Sequence, residues 1–438
     1  MDLHLDFQRL RHSKIAGACR QALFHLLLGK DGWPIRFRAP HSPSPLAGKS
    51  SPNIYIHLPF CSSICPHCPY NKILFHPKLY QPYRAALLRE VASHYQSHER
   101  PPIQTLYFGG GTPSLHPELI SEILVLLKPW LADAPEIGVE VHPLHATPQT
   151  LAQLRAAGVN RISLGIEALC DDTLQFLERG YTSDQARSAI RRAVGAGFDC
   201  VDVNLIYGIP RRASNEAVED AAECLSLGVN QISAYPLFTF VHTRLGAQVE
   251  RKKVPLAGEF ARLRSQKGIA EVCLNDGFER TSVWSYTRPG ISPYSTVTHD
   301  GYIGFGAGAG SKVDEFFWFN TFSVTEYSKL EEPRPALVAE LRGRLRRFHW
   351  VYWQIYRTSL DLMEYRSKFG RSFEEDFGRL FRGLRLLGWC ESTPSRLKVT
   401  ERGAIWAHRL QCLYSLTYID KLWEECRREA WPEEITLH

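Results

Sequence analysis

Short apolar runs recur at residues 53–58, 104–108, 137–142, 161–166, 201–205 and 230–235, and stretches with helical spacing of apolar positions separate them. This alternation is the pattern of βα units and a parallel sheet. Six units predict an α/β fold, a partial (β/α)6 barrel open on one side, whose chemistry belongs at the C-terminal ends of the strands.

The flanks read differently. Residues 5–28 place Leu10, Ile15, Leu23 and Leu26 at roughly helical spacing, and Pro40, Pro43 and Pro45 then predict an extended linker. Residues 1–50 are therefore expected to be an N-terminal helix and linker, and 51–240 the barrel. Residues 241–330, rich in aromatics such as Trp284, Tyr286, Tyr294, Tyr302, Phe305, Phe316 and Trp318, are expected to close the barrel edge and cover a substrate. After Pro335 the pattern gives helices, among them Phe373 to Leu387, then a short Leu397-Lys-Val strand and a helix from Thr400. Residues 331–438 are thus expected to form a C-terminal helical, winged-helix-like cap.

Composition narrows the class. The 438 residues are 44% apolar and 22% charged, enough for a large core. No apolar run approaches the roughly 20 residues that span a bilayer, so no membrane association and a cytoplasmic location are expected. The net charge of +6 is spread out except at Arg342 to Arg347, and no arginine-rich recognition face accompanies the winged-helix pattern, which argues against nucleic acid. Eight scattered cysteines (Cys19, Cys170, Cys200, Cys224, Cys273, Cys390, Cys412 and Cys426) have no paired spacing and read as small buried residues.

Three further cysteines carry the chemistry. Cys61, Cys65 and Cys68 follow the first strand in a CxxxCxxC loop. Three thiolates can hold three irons of a four-iron cluster and leave the fourth open to a chelating ligand. A zinc site completed by His57 or His67 is the alternative. The second strand runs into Tyr107-Phe-Gly-Gly-Gly-Thr-Pro-Ser114, where Gly109, Gly110 and Gly111 permit close backbone approach and offer amides to a polar ligand. Glu140, Glu167, Asn204 and Tyr235 end the next four strands. These motifs share one rim of the barrel, which favours a reactive cluster over a zinc module.

The CxxxCxxC loop preceded by Tyr55-Ile-His-Leu-Pro-Phe, the GGGTPS run, Arg161-Ile-Ser-Leu-Gly-Ile-Glu167, Asn204-Leu-Ile-Tyr-Gly-Ile-Pro210, Ser233-Ala-Tyr-Pro-Leu237 and Gly301-Tyr-Ile-Gly-Phe-Gly-Ala-Gly-Ala309 resemble the radical S-adenosylmethionine (SAM) enzymes. Within them the chain is similar to the oxygen-independent coproporphyrinogen III oxidase group over roughly residues 50–410, and in character to its C-alkylating members, the class C methyltransferases and cyclopropanases. The resemblance implies a 4Fe-4S cluster on Cys61, Cys65 and Cys68, with SAM, as two molecules, cleaved to a 5′-deoxyadenosyl radical. It implies Tyr55 near the sulfonium or methionyl group, Gly109 and Gly110 at the methionyl amine, and Gly111 and Thr112 in the same cofactor site. Glu140 would meet the ribose or a second cofactor, and Arg179 a carboxylate. Glu167, Asn204 and Ile206 complete the cofactor wall, with Glu167 and Tyr55 as catalytic candidates. Glu167 and Asn204 stand where glutamine and aspartate are usual, and Pro69-Tyr-Asn-Lys72 lacks the further cysteine of the coproporphyrinogen oxidase.

The missing cysteine and the aromatic stretch 284–318 make the leading expectation C-methylation or cyclopropanation of an unsaturated small molecule. The alternatives are oxidative decarboxylation of a porphyrinogen, and haem binding or trafficking with His142 and His145 as candidate iron ligands. The resemblance also implies an external electron donor such as a flavodoxin or ferredoxin, and leaves room for a partner methyltransferase.

Overall fold

The computed structural model describes residues 34–40, 46, 48–96, 99–251, 253–293, 301–414 and 418–437. The helix expected over 5–28 and Tyr294 lie outside the described residues. Six strands, β2 (Asn53–Leu58), β3 (Ile103–Gly110), β4 (Leu131–Val141), β5 (Arg161–Glu167), β6 (Cys200–Tyr207) and β7 (Gln231–Pro236), pair in parallel in that order. This is the α/β partial barrel that the apolar pattern predicts.

Period-two alternation sets the two faces of each strand. In β5, Ile162, Leu164 and Ile166 are fully buried toward the helices, while Ser163, Gly165 and Glu167 line the interior cavity. In β6, Val201, Val203 and Leu205 face the helices, while Asp202, Asn204 and Ile206 face the cavity. The helix Ser183–Gly195 illustrates the outer layer. Thr182 and Gln185 form a capping box at its start, and Ala186, Ala189, Ile190 and Ala193 make the buried stripe.

Residues beyond β7 extend both edges of the sheet. β8 (Ser285–Thr287) runs antiparallel to β7, and β9 (Ile303–Phe305) runs parallel to β2. Gly304 is required there, because an added Cβ would stand 2.2 Å from the Gly310 carbonyl oxygen.

One element departs from the sequence reading. Residues 35–38, expected to belong to the N-terminal helix and linker, form β1 (Ile35–Arg38). It lies within a second sheet of β10 (Gly310–Val313), β11 (Phe316–Phe319), β12 (Leu337–Glu340), β1 and β16 (Glu434–Leu437), in that spatial order. Its alternation buries Phe37 against Phe319, Leu337, Ile435 and Leu437, so the stretch holds both ends of the chain together rather than spacing them.

The C-terminal region packs helices Gly343–Tyr356, Leu362–Phe369, Phe373–Leu386 and Glu401–Tyr414 on three short antiparallel strands: β13 (Ser359–Asp361), β14 (Cys390–Ser392) and β15 (Arg396–Val399). Its separate core comprises Trp350, Leu360, Tyr365, Phe373, Phe377, Phe381 and Leu397 among others. No helix among the described residues is long and apolar enough to cross a membrane.

Candidate active site

A cavity of about 720 Å³ opens at the C-terminal ends of the barrel strands. Its wall includes Cys61, Cys65, Cys68, Gly110, Gly111, Thr112, Glu140, Glu167, Arg179, Asn204 and Ile206, so the fold brings most of the sequence-predicted set together. Tyr55 and Gly109 stand behind that wall. The Tyr55 hydroxyl donates to His57 Nδ1 at 2.8 Å, and His57 Nε2 donates to the Asn71 carbonyl at 2.8 Å. Burial pushes the His57 imidazole down to about 4, which keeps the ring neutral, and the Asn71 carbonyl, which can only accept, places its proton on Nε2. Asn71 in turn donates to the carbonyls of Ala307 and Phe322, so His57 and Asn71 anchor the exit of the cysteine loop to the glycine-rich segment around 301–309. The Lys72 ammonium folds back onto the Cys68 carbonyl at 2.6 Å and serves the loop backbone.

The glycine run is shaped by contact. Gly110 has a φ of 120°, and a Cβ there would strike the His57 ring at 2.8 Å; one on Gly111 would sit 2.7 Å from the Pro59 carbonyl carbon. Only glycine lets this strand end lie against the cysteine loop. The Gly110 amide donates to Glu140 Oε2 at 3.1 Å, and the Tyr107 hydroxyl donates to Glu140 Oε1 at 2.7 Å. Burial nonetheless pushes Glu140 up to about 7, because these bonds only partly replace lost water.

Glu167 occupies a strained position, with a φ of 65° at a register shift in β5. Burial raises its carboxyl and the Arg179 guanidinium, 3.8 Å away, opposes the rise. Arg179 is held by the Gly165 carbonyl at 2.7 Å and Tyr181 at 3.1 Å, and donates to Cys65 Sγ at 3.1 Å. The group expected at a ligand carboxylate thus faces a cysteine sulfur.

The cysteine loop suits an iron–sulfur group. Its three thiols are unpaired and line one wall, an all-sulfur donor set that selects thiophilic metals. The guanidinium on Cys65 and the Lys72 charge nearby would offset thiolate charge. Burial raises the Cys61 thiol to about 11 and raises Cys68 as well, so metal binding has to displace their protons. Among the described residues no three His, Cys, Asp or Glu side chains converge on a single metal position, so cluster assembly would draw the three thiols together.

Several cavity residues escaped the sequence reading. Asp202 sits at the cavity base, almost fully buried; Ser163 donates to it at 2.6 Å and Ser233 at 2.8 Å, while Asn204 donates to Ser163 at 2.8 Å. Burial pushes Asp202 up to about 6. Its spacing from Asn204, two residues on one strand, was the available signal. The C-terminal region adds Gln354, Arg357 and Arg396 to the wall, with Arg396 opposite Asp361 across paired strands. His142 borders the cavity and accepts the Leu144 amide, while His145 pairs with Ser114; burial lowers both imidazoles.

With this geometry in view, residues 55–224 match the model of the Radical SAM superfamily. The chain carries a radical SAM domain and is a radical SAM enzyme, similar to the oxygen-independent coproporphyrinogen III oxidases and the heme chaperones. Heme chaperone HemW of Lactococcus lactis is 26% identical over 80% of this chain and 93% of its own length. Anaerobilin synthase of Escherichia coli O157:H7 is 26% identical over 84% of each chain, and the oxygen-independent coproporphyrinogen III oxidase of Pseudomonas aeruginosa is 24% identical over 75% of this chain and 77% of its own. The crystal structure of coproporphyrinogen III oxidase HemN from Escherichia coli shares the fold, with a TM-score of 0.69 and 22% identity over 82% of this chain and 89% of that one.

Proposed function

We propose that this radical SAM enzyme acts on a tetrapyrrole, through the porphyrinogen or haem chemistry expected above as the alternative. The observation that carries the reading is the continuity of one cavity from the three cysteines, past Glu140, Glu167 and Asp202, to Arg357 and Arg396 of the C-terminal region. The relatives' printed names, which include a heme chaperone and a coproporphyrinogen oxidase, support it independently.

When bound, the cluster and SAM supply one-electron reduction and hydrogen abstraction from carbon. The chain's own residues divide the remaining work. Gly110 and Gly111 let the second strand's end pack against the cysteine loop, Glu140 and Glu167 would face a cationic cofactor, and Arg179 would balance sulfur charge. Arg357 and Arg396 would pair with substrate carboxylates at the mouth. The barrel and the C-terminal region limit water, which protects a reactive radical. A second reading is C-methylation or cyclopropanation with two SAM molecules. It is favoured by Pro69-Tyr70 following Cys68, where a further cysteine would mark the decarboxylase, and by Tyr235 and Trp284, whose rings lie 5.5 Å apart on the cavity wall.

The test is anaerobic reconstitution with a reductant and SAM carrying a trideuterated methyl group, followed by incubation with coproporphyrinogen or with haem. Tetrapyrrole-dependent 5′-deoxyadenosine or a stoichiometric shift of the haem absorption band supports the reading. Deuterium in the 5′-deoxyadenosine would transfer support to alkylation. If neither tetrapyrrole binds or reacts, the proposal is wrong.

A further inference from the structure

Tyr70 lies two residues after Cys68 on the cavity wall and is 54% exposed, a large aromatic ring left open on that wall.

The backbone carrying this ring is held unusually firmly. Arg427 donates to the Pro69 carbonyl at 2.6 Å and to the Tyr70 carbonyl at 2.8 Å. His242 Nε2 donates to the Pro69 carbonyl at 3.1 Å, and its Nδ1 pairs at 2.6 Å with the fully buried Asp420, whose other oxygen accepts the Val241 amide. Trp423 closes the arrangement, its ring 6.0 Å from both Tyr70 and Phe240. Asp420, Trp423 and Arg427 all come from the helix Asp420–Arg428, so the C-terminal end of the chain clamps the two residues after Cys68.

A large aromatic ring left facing an enclosed cavity, on a backbone that cannot relax, is a preorganised surface for a flat conjugated ligand. We infer that Tyr70 is the specificity-determining wall on which the planar acceptor stacks, and that Arg427 and the His242–Asp420 pair are positioning residues that aim it. The inference rests on the haem arm of the tetrapyrrole reading for the identity of the ligand, since a porphyrinogen, with its saturated meso carbons, is not flat. The adenine of SAM is the other planar group that could meet this ring, and the test separates the two.

The experiment titrates the full-length, cluster-loaded protein with protoporphyrin by fluorescence quenching, and in parallel with S-adenosylhomocysteine by calorimetry, for wild type, Tyr70→Leu, Tyr70→Phe, Arg427→Gln and the Tyr70→Leu/Arg427→Gln double variant. Iron content per chain controls for loop integrity. Tyr70→Leu is expected to weaken porphyrin at least tenfold at unchanged iron content, with S-adenosylhomocysteine affinity held within twofold, and Tyr70→Phe is expected to bind as wild type does. Arg427→Gln is expected to weaken porphyrin severalfold, and the double variant no more than Tyr70→Leu alone, because both act through one ring. Equal porphyrin affinity in wild type and Tyr70→Leu, or a loss confined to S-adenosylhomocysteine, would overturn the inference while leaving the tetrapyrrole reading intact. Absence of porphyrin binding by the wild type would overturn the inference together with the haem arm of that reading.

Discussion

The clearest quantitative consequence concerns Glu140. Its carboxyl is half-buried at the cavity wall, and burial pushes it from 4.5 to about 7 in the folded protein. A folded-state pKa above the unfolded value means that the folded protein prefers the protonated form. The associated stability is complete below about pH 4.5 and is lost as pH rises through about 7. A rise from 4.5 to about 7 corresponds to about 3 kcal/mol, moderated by coupling to Glu167 and Asp202. Glu140→Gln removes the titration and preserves the bonding. The amide oxygen can accept from Gly110, and its NH2 can donate to the Tyr107 hydroxyl oxygen, since a phenol both donates and accepts. In cofactor-free protein unfolded by urea, the variant is expected to match wild type near pH 5 and to exceed it by about 2–3 kcal/mol near pH 8. A stability difference that does not change between those two pH values would refute the assignment of a protonated, desolvated carboxyl to Glu140.

Other expectations follow from single contacts. Arg179→Gln removes the donor to Cys65 Sγ; a hydrogen bond to a charged sulfur worth about 1.5–3 kcal/mol corresponds to a cluster potential roughly 60–130 mV more negative, readable by EPR-monitored redox titration. Gly111→Ala, whose Cβ would press on the Pro59 backbone, is expected to cost about 1–3 kcal/mol in urea denaturation and to lower iron uptake on reconstitution. Phe377→Ala in the core of the C-terminal region is expected to destabilise that region by about 3–5 kcal/mol, seen as new early cleavage between residues 343 and 414 in limited proteolysis. The cavity acids should favour cationic SAM over neutral S-adenosylhomocysteine increasingly as pH rises from 6 to 8, and calorimetry showing a constant ratio would contradict this.

The barrel was legible because its signal is local. Each strand carries its own two-residue alternation, and β5 shows it without exception from Ile162 to Glu167. The second sheet was not legible, because β1 is four residues long beside a proline-rich stretch and its partner β16 lies almost 400 residues away, in pairings such as Arg38 with Glu434. No window of sequence contains both. Asp202 was hidden for the opposite reason: the run Val201-Asp-Val-Asn-Leu205 reads as an ordinary strand until the neighbouring strands show which face encloses a cavity. The clamp on Tyr70 depends on His242 meeting Asp420 across 178 positions, which spacing cannot reveal. Sequence therefore located the reactive loop, and the long-range contacts show what holds it.

The cavity is electrostatically graded, and this grading links fold to chemistry. Near the cysteines, the three carboxyls of Glu140, Glu167 and Asp202 outnumber the two cations Arg179 and Lys72, and burial raises the pKa of all three acids. An enclosed group of acids of this kind is stabilised by a bound cation, so the interior is matched to a sulfonium rather than to a carboxylate-bearing substrate. The mouth differs, because Arg357 and Arg396 reach the wall from the C-terminal region beside Asp361 and Glu364, so cations are present there as well as acids, and the Asp361 carboxylate accepts the amides of Met363 and Glu364 and feels the Arg396 charge. A substrate with an uncharged conjugated body and carboxylates at its periphery satisfies both zones if the body enters and the carboxylates stay at the mouth. The strands of the barrel set the first zone and the C-terminal region sets the second. Closing the cavity and choosing the substrate are then tasks of the same C-terminal elements that clamp the loop after Cys68.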